Sequence, residues 1–238
     1  MLALYLMNGS TVVGAKFLGT VGTDFDIAGA ADFNGDGKAD ILFRRKTDGQ
    51  LALYQMNGFQ VVNAQFLGAL GTEWRVRGVR DFNGDGKADI LFRRVTDGML
   101  ALYEFNGFQL LGAQLLGAVG TDFDVVGVRD FNGDGKADIL FRRATDGMVA
   151  MYLMNGFQVV ATQLIGAVGT DITVQAVGDF NGDGKADVLF RHVADGLLVI
   201  YLMNGFQVVT AQVLGAVGTE FTVCYGQPPL APVQTSQN

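Results

Sequence analysis

The sequence predicts an all-β fold, a five-bladed β-propeller of four-stranded antiparallel blades, on three observations. The nonapeptide DFNGDGKAD begins at Asp32, Asp81, Asp130 and Asp179, always 49 residues apart, without insertion or deletion. Each period holds four short segments of strand-like alternation separated by glycine-bearing turns, and none with helical periodicity. A period near 50 residues containing four strands is the size of one propeller blade.

The elements can be followed through one period. FDIAGAA (25–31) is short and apolar, with small residues at Ala28, Gly29 and Ala30. The nonapeptide follows, and then DILFRR (40–45), which places Ile41 and Phe43 on one face and Leu42 and Arg44 on the other. TDG (47–49) is a turn, and LALYQM (51–56) alternates again. Asn57-Gly58 is a strong hairpin signal, since a type I′ turn needs positive φ at both central residues. FQVVNAQFLG (59–68) completes the blade, and ALGT leads into the next. Apolar residues on both strand faces predict sheets stacked between neighbours, and Gly29, Gly78 and Gly127 suit the crowded innermost strand. A parallel β-helix fits less well, because its coils are shorter and do not need Asn-Gly hairpins.

The chain is expected to be one domain with periods 23–71, 72–120, 121–169 and 170–218. Residues 1–22 and 219–238 then make a closing blade, its inner strand EFTVCYG (220–226) from the C-terminus and its outer pair from the N-terminus. One period after Asp179 stands Pro228 and no nonapeptide. That blade is either incomplete or filled by LAPVQTS (230–236) without a metal loop.

Composition narrows the function. Half of the 24 acidic residues lie inside the nonapeptides, and with 17 basic residues the formal charge is −7. No basic stripe suited to nucleic acid is present. Hydrophobic content of 49% with 17% charged residues describes a packed globular chain. No apolar run is long enough to insert as a membrane helix. MLALYLMNG at the start matches QLALYQMNG (50–58) one period later, so it reads as a strand and not a signal sequence. Any export signal is expected outside this chain. The single Cys224 excludes an intramolecular disulfide and reads as a small apolar residue.

The nonapeptide itself carries chemistry. Asp32, Asn34, Asp36 and Asp40 occupy loop positions 1, 3, 5 and 9, and Lys38 brings its carbonyl to position 7. Hard oxygens at alternate positions around a glycine-broken turn suit calcium. The other copies offer Asp81, Asn83, Asp85, Lys87 and Asp89; Asp130, Asn132, Asp134, Lys136 and Asp138; and Asp179, Asn181, Asp183, Lys185 and Asp187. Position 12 is Phe43 on a strand, where an EF-hand needs a bidentate Glu. A solvated acidic turn would not need every ligand position filled four times. Four divalent ions carry eight positive charges and would take −7 to +1, relieving self-repulsion.

With these residues, DFNGDGKADILF resembles the calcium hairpin of FG-GAP repeats, also called VCBS-type repeats, which form the blades of integrin-like propellers. The resemblance spans nearly the whole chain. It implies calcium held between the first two strands of a blade, about four ions per chain, with none in the fifth blade.

Catalysis finds little support. His192 stands where Arg45, Arg94 and Arg143 stand in other periods, and reads as a surface substitution. There is no G-x-S-x-G, zinc spacing or Cys/His pairing, and Asp24 and Asp26 read as an exposed polar strand face. No catalytic residue is assigned, and the chain is read as no enzyme. On the disc face opposite the acidic loops, each blade gathers Arg, Asp and an aromatic: Arg45, Asp48 and Phe25; Arg94, Asp97 and Trp74; Arg143, Asp146 and Phe123. These either bind sugars or small polar ligands, or brace turns while the aromatics pack between blades.

The expectation is a calcium-stabilised extracellular recognition module, secreted or on the cell surface. Its partners would be glycans or cell-surface proteins, bound multivalently as in lectin propellers of similar plan. The alternatives are a protein-interaction or self-assembly scaffold built on the outer strands, a repeat propeller without an evolved ligand, or a polysaccharide-active enzyme domain. Oligomeric state is left open.

Overall fold

The structure, a computed structural model, describes residues 2–8 and 10–221. All its regular elements among the described residues are strands. Contacts divide the chain into two compact units, one running to Arg80 and including Asp85–Gly117, the other holding Asp81–Gly84 and the residues from Ala118 on.

The first unit opens with a hairpin of β1 (Leu2–Asn8) and β2 (Thr11–Gly19). A four-stranded sheet follows: β3 (Phe25–Ala31), β4 (Asp40–Arg45), β5 (Gln50–Asn57) and β6 (Gln60–Ala69), neighbours in sequence pairing antiparallel. A second such sheet comprises β7 (Trp74–Arg80), β8 (Asp89–Arg94), β9 (Met99–Asn106) and β10 (Gln109–Ala118). In the second unit, β11 (Phe123–Arg129), β12 (Asp138–Arg143), β13 (Met148–Asn155) and β14 (Gln158–Ala167) form one sheet. The other is built from β15 (Ile172–Gly178), β16 (Asp187–His192), β17 (Leu197–Asn204) and β18 (Gln207–Ala216).

The strand segments read from the sequence are thus found within a residue or so of their expected ends. Five sheets in repeat order make the propeller-type repeat that the 49-residue period predicts. The fifth is represented by the β1–β2 pair. Its expected inner strand, from residue 222 on, the LAPVQTS segment and Cys224 lie outside the described residues.

Alternation sets the packing. Ile41, Phe43, Ala52 and Met56 point to one side of the first four-stranded sheet, where Leu2, Leu4 and Leu18 of the hairpin meet them. Leu42, Leu51 and Leu53 point to the other side and pack with Val79, Ile90, Phe92 and Phe105 of the second sheet. In the second unit Leu140, Val149 and Met151 pack likewise on Val177, Val188, Phe190 and Met203. The first four-stranded sheet therefore buries both faces of its inner strands, as expected where sheets stack on both sides.

Two glycines show why the innermost strand and the TDG turn keep their residues. A Cβ on Gly29 would lie 2.5 Å from Val79 Cγ2 of the adjacent sheet, so close approach of the inner strands excludes any side chain there. Gly49, at φ 76°, would place a Cβ 2.0 Å from the Leu70 carbonyl, while its own carbonyl accepts the Leu70 N–H at 3.3 Å.

Candidate functional site

The acidic loop joins the first two strands of each four-stranded sheet, and its own backbone shapes it. In the first copy Asp32 Oδ1 accepts the N–H groups of Asn34, Gly35 and Asp36 at 3.1, 2.7 and 3.3 Å, and Oδ2 accepts that of Gly37 at 2.7 Å. Asn34 Oδ1 accepts the Asp36 N–H at 3.0 Å, and Asp36 Oδ1 accepts the Lys38 N–H at 2.9 Å. Gly35 and Gly37, at φ 79° and 80°, let the chain turn tightly enough to direct these donors inward. The third and fourth copies repeat the pattern around Asp130 and Asp179. In the second copy the Asn83 and Gly84 N–H groups reach Asp81 Oδ1, and the Lys87 N–H reaches Asp85.

Position 9 does something the spacing did not reveal. Asp40 is fully buried, with Oδ2 accepting the Phe33 N–H at 3.1 Å and Oδ1 accepting the Met56 N–H at 2.9 Å. It ties the loop to the third strand. Asp138 makes the same bonds to Phe131 and Met154, Asp187 to Phe180 and Met203, and Asp89 accepts the Phe105 N–H. Burial raises the Asp40 carboxyl and pushes Asp138 up to about 6, against the opposing pull of the two backbone donors.

The chemistry of this donor set fits calcium, since Asp32, Asn34, Asp36, Asp40 and the Lys38 carbonyl are hard oxygens in one loop. Their side chains are held by amides, however, and among the described residues no three acidic, histidine or cysteine side chains gather into a metal cluster.

Neighbouring repeats are stitched through these loops by main-chain bonds that no side-chain pattern announces. The Asp32 carbonyl accepts the Ala88 N–H at 2.7 Å, and the Phe33 carbonyl accepts that of Gly107, in an Asn-Gly hairpin, at 2.6 Å. Asp81 and Phe82 accept from Ala137 and Gly156, and Asp130 and Phe131 from Ala186 and Gly205. The acidic loops and the Asn-Gly turns therefore do lie together, as blade topology predicts.

At the other strand ends, each Arg–Asp–aromatic trio named from sequence is assembled. Arg45 Nε and Nη2 bind Asp48 at 2.9 and 2.6 Å, with the guanidinium 5.5 Å from the Phe25 ring centre. Arg94 and Asp97 pair at 2.9 and 2.5 Å, with Arg94 5.1 Å over Trp74; Arg143 and Asp146 pair at the same two distances, with Arg143 5.1 Å over Phe123. The arginine bond holds each of Asp48, Asp97 and Asp146 down to about 2. Both ends of each pair are thereby engaged, and Asp48 also accepts the Gln50 N–H, so the trio braces its turn. Trp74 is buried, with Arg94 over its ring, and presents no free face to a sugar.

His192 is more than a surface substitution. Its Nδ1 lies 2.6 Å from Asp195 and its Nε2 3.0 Å from Asp171, and the aromatic partner is replaced by Ile172. The neighbouring arginine of the pair also has a role that the sequence left unassigned. Arg44 donates to the Leu70 and Gly71 carbonyls, Arg142 to Gly169, and Arg191 to Val217, Gly218 and Phe221, each clamping the connection beyond its own sheet.

Two pockets open against the sheets, the first between one sheet and the connection entering it, the second between two stacked sheets. One of about 260 Å³ in the first unit is walled by Val21, Phe25, Phe43, Tyr54, Ala64 and Phe66, with Thr20 and Gln65 among its polar groups. The other, of about 270 Å³ in the second unit, is walled by Val168, Phe190, Tyr201 and Ala211, which are Val21, Phe43, Tyr54 and Ala64 three periods on. The Phe–Tyr pair is edge-to-face at 4.9 Å in both. In the sequence Phe43 and Tyr54 have the pattern of strand interior; the signal for a pocket is the recurrence of this Phe–Tyr pair at fixed register in every period.

Stacked four-stranded sheets, stitched through acidic loops in a fixed period, define a repeat propeller. The chain matches the FG-GAP-like repeat over residues 32–92, 81–141 and 130–190, and belongs to that family. No curated protein matches its sequence. Among solved structures it is similar to an Agrocybe aegerita lectin described as recognising non-reducing terminal N-acetylglucosamine, at 20% identity and a TM-score of 0.62. That likeness covers 78% of this chain and 51% of the lectin chain, so this chain spans about half the length of that structure. Myxococcus xanthus glutaminyl cyclase matches at 14% identity and a TM-score of 0.39, over 79% of this chain and 75% of that one.

Proposed function

We propose that this protein is a non-enzymatic, multivalent carbohydrate-binding module whose ligands sit in these two related pockets. One observation carries the reading: a pocket with the same Phe, Tyr, Ala and Val lining recurs three periods apart. At about 260–270 Å³ the pockets fall just below the range usual for drug-sized ligands and suit a single sugar ring. Aromatic walls favour the apolar face of a pyranose or an N-acetyl methyl group. The N-acetylglucosamine specificity named for the Agrocybe aegerita lectin, a protein of similar fold, makes that sugar the first to test. Repeated weak sites gain avidity on a glycan-bearing surface. Catalysis is disfavoured at His192, because carboxylates occupy both ring nitrogens and leave neither free to act as a base.

The acidic loops, in the same reading, take calcium and hold the blades. Extracellular calcium modules commonly bind at about 10⁻⁴–10⁻³ M, which points to a secreted or cell-surface setting. The test is a glycan array followed by calorimetry with the best hit. Binding is expected, with Tyr54→Ala and Tyr201→Ala each weakening it about tenfold at its own pocket. Absence of binding to every glycan would overturn the carbohydrate reading. A scaffold role for the exposed apolar outer strands, with Val62 and Phe66 on β6 and Val209 and Val213 on β18, would then show as concentration-dependent association in light scattering.

A further inference from the structure

We infer that Asn57 is a site of spontaneous covalent modification, where the side-chain amide closes on the Gly58 nitrogen to a succinimide that water opens to isoaspartate.

The reaction needs a side-chain amide, a following residue with no Cβ to obstruct the approach, and a main-chain N–H free to become the nucleophile. Gly58 N attacks Asn57 Cγ. The N–Cγ bond forms, the Cγ–Nδ2 bond breaks, and ammonia leaves with the Gly58 proton. Water then opens the ring. Cleavage of the N–Cγ bond leaves aspartate, and cleavage at the main-chain carbonyl leaves isoaspartate, with the chain now running through the side chain. Water is the only other reactant.

Every Asn-Gly pair supplies the first two requirements, so the third decides. Eight of the nine pairs lie wholly within the described residues. Four are in the acidic loops, and there the nucleophile is taken. The N–H groups of Gly35, Gly84, Gly133 and Gly182 donate to the carboxylates of Asp32, Asp81, Asp130 and Asp179 at 2.6–2.7 Å. A charged acceptor makes such bonds strong.

The other four are hairpins of one sequence, Asn-Gly-Phe-Gln at 57–60, 106–109, 155–158 and 204–207. Their glycines share one conformation, at φ 58°, 60°, 56° and 57°. Asn57 pairs with Gln60 as Asn155 does with Gln158 and Asn204 with Gln207. What differs is the stitch to the preceding repeat. Gly107, Gly156 and Gly205 are buried and donate at 2.6, 2.7 and 2.7 Å to the carbonyls of Phe33, Phe82 and Phe131. Gly58 is exposed, and among the described residues its N–H has no acceptor. An added Cβ there would meet nothing within 4 Å, whereas one on Gly107 would come within 3.1 Å of Gln55. Of the eight pairs, Asn57-Gly58 alone keeps its nucleophile available.

At a stitched glycine the reaction must first break a buried hydrogen bond and leave a carbonyl unpaired. A net hydrogen bond of ordinary strength corresponds to a factor of about ten. Asn57 should therefore react about tenfold faster than Asn106, Asn155 or Asn204. The isoaspartyl product adds a negative charge and one carbon to the main chain, which breaks the Asn57–Gln60 register at the end of the hairpin.

The experiment incubates the native full chain in warm, mildly alkaline buffer and follows each asparagine by peptide mapping and mass spectrometry. Isoaspartate is confirmed by enzymatic methylation. Asn57 should accumulate product about tenfold ahead of the other three hairpins. In urea the four should react alike, because their local sequence is the same. Amide hydrogen exchange gives a second readout, with Gly58 exchanging at least about tenfold faster than Gly107, Gly156 and Gly205. Equal rates at the four sites in the native chain would overturn the inference, as would a Gly58 amide as protected as the other three. A native chain silent at Asn57 while the unfolded chain reacts would overturn it too, and so would an unfolded chain that already favours Asn57.

Discussion

Substituting Asp138 by alanine tests whether the position-9 carboxylates are braces in their own right. Asp138 is fully buried and accepts two main-chain donors at 2.9 Å each, from Phe131 and from Met154 in the third strand. Removing it strands two buried N–H groups, each costing about 1–3 kcal/mol, so the gross loss is about 2–6 kcal/mol. Alanine also abolishes the burial that pushes this carboxyl up to about 6, which returns part of that loss. The net expectation is about 2–3 kcal/mol. For a chain of this length that is a drop in melting temperature of about 4–12 °C. Urea and thermal melts run in chelator keep metal out of the comparison, with Asp134→Ala, an exposed loop substitution, as the reference. Asp134→Ala should change stability by less than about 1 kcal/mol under those conditions. If Asp138→Ala proves as mild as Asp134→Ala without metal, the two bonds to Phe131 and Met154 do not brace the sheet.

Two further outcomes are expected. Chelation of the calcium-loaded protein should lower the melting temperature, since each independent site at 100 times its Kd adds about 2.7 kcal/mol, and a metal count should find about four ions per chain. A count of zero would make the loops plain hydrogen-bonded turns. The single imidazole, His192, should titrate above its ordinary 6.5, because the Asp195 hydrogen bond outweighs the opposing effect of desolvation and Asp171 adds to it. Its contribution to stability is therefore fully present below about pH 6.5 and is lost as pH rises through the elevated value. A one-dimensional proton titration of its C2–H shows this directly, and Asp195→Asn should bring the midpoint down; a midpoint at or below 6.5 in the unsubstituted chain would contradict the bridging geometry.

Most of the fold was legible because period and alternation are properties of single residues in order. Asn57-Gly58 marked a hairpin, Gly29 a crowded strand, and Ile41 against Leu42 the two buried faces. The Arg45–Asp48–Phe25 trio was legible as a group, though its geometry makes it a brace of the turn and leaves Trp74 covered. What escaped was whatever depends on the main chain or on a neighbouring sheet. Spacing alone put Asp40 among the metal donors, and gave no sign that both its oxygens hold buried amides. The Ala88-to-Asp32 and Gly107-to-Phe33 stitches use groups every residue possesses, so no residue type records them. The pockets escaped because Phe43 and Tyr54 look like ordinary strand residues until the hairpin and connection beside them are in place. His192 looked like a lost arginine until Asp171, from the connection before its own sheet, came within reach of the second nitrogen.

The stitches between repeats have a consequence for how such a chain can arise. Because carbonyl and amide groups are the same in every copy, a duplicated repeat finds its partners ready-made, with no compensating change needed next door. A stretch of coding sequence copied in frame would extend the stack at once, and side chains would be free to diverge afterwards at pocket walls and strand ends. The unbroken identity of DFNGDGKAD beside the variation of Phe25, Trp74, Phe123 and Ile172 has the form such a history would leave: a constant fastening and a changeable surface.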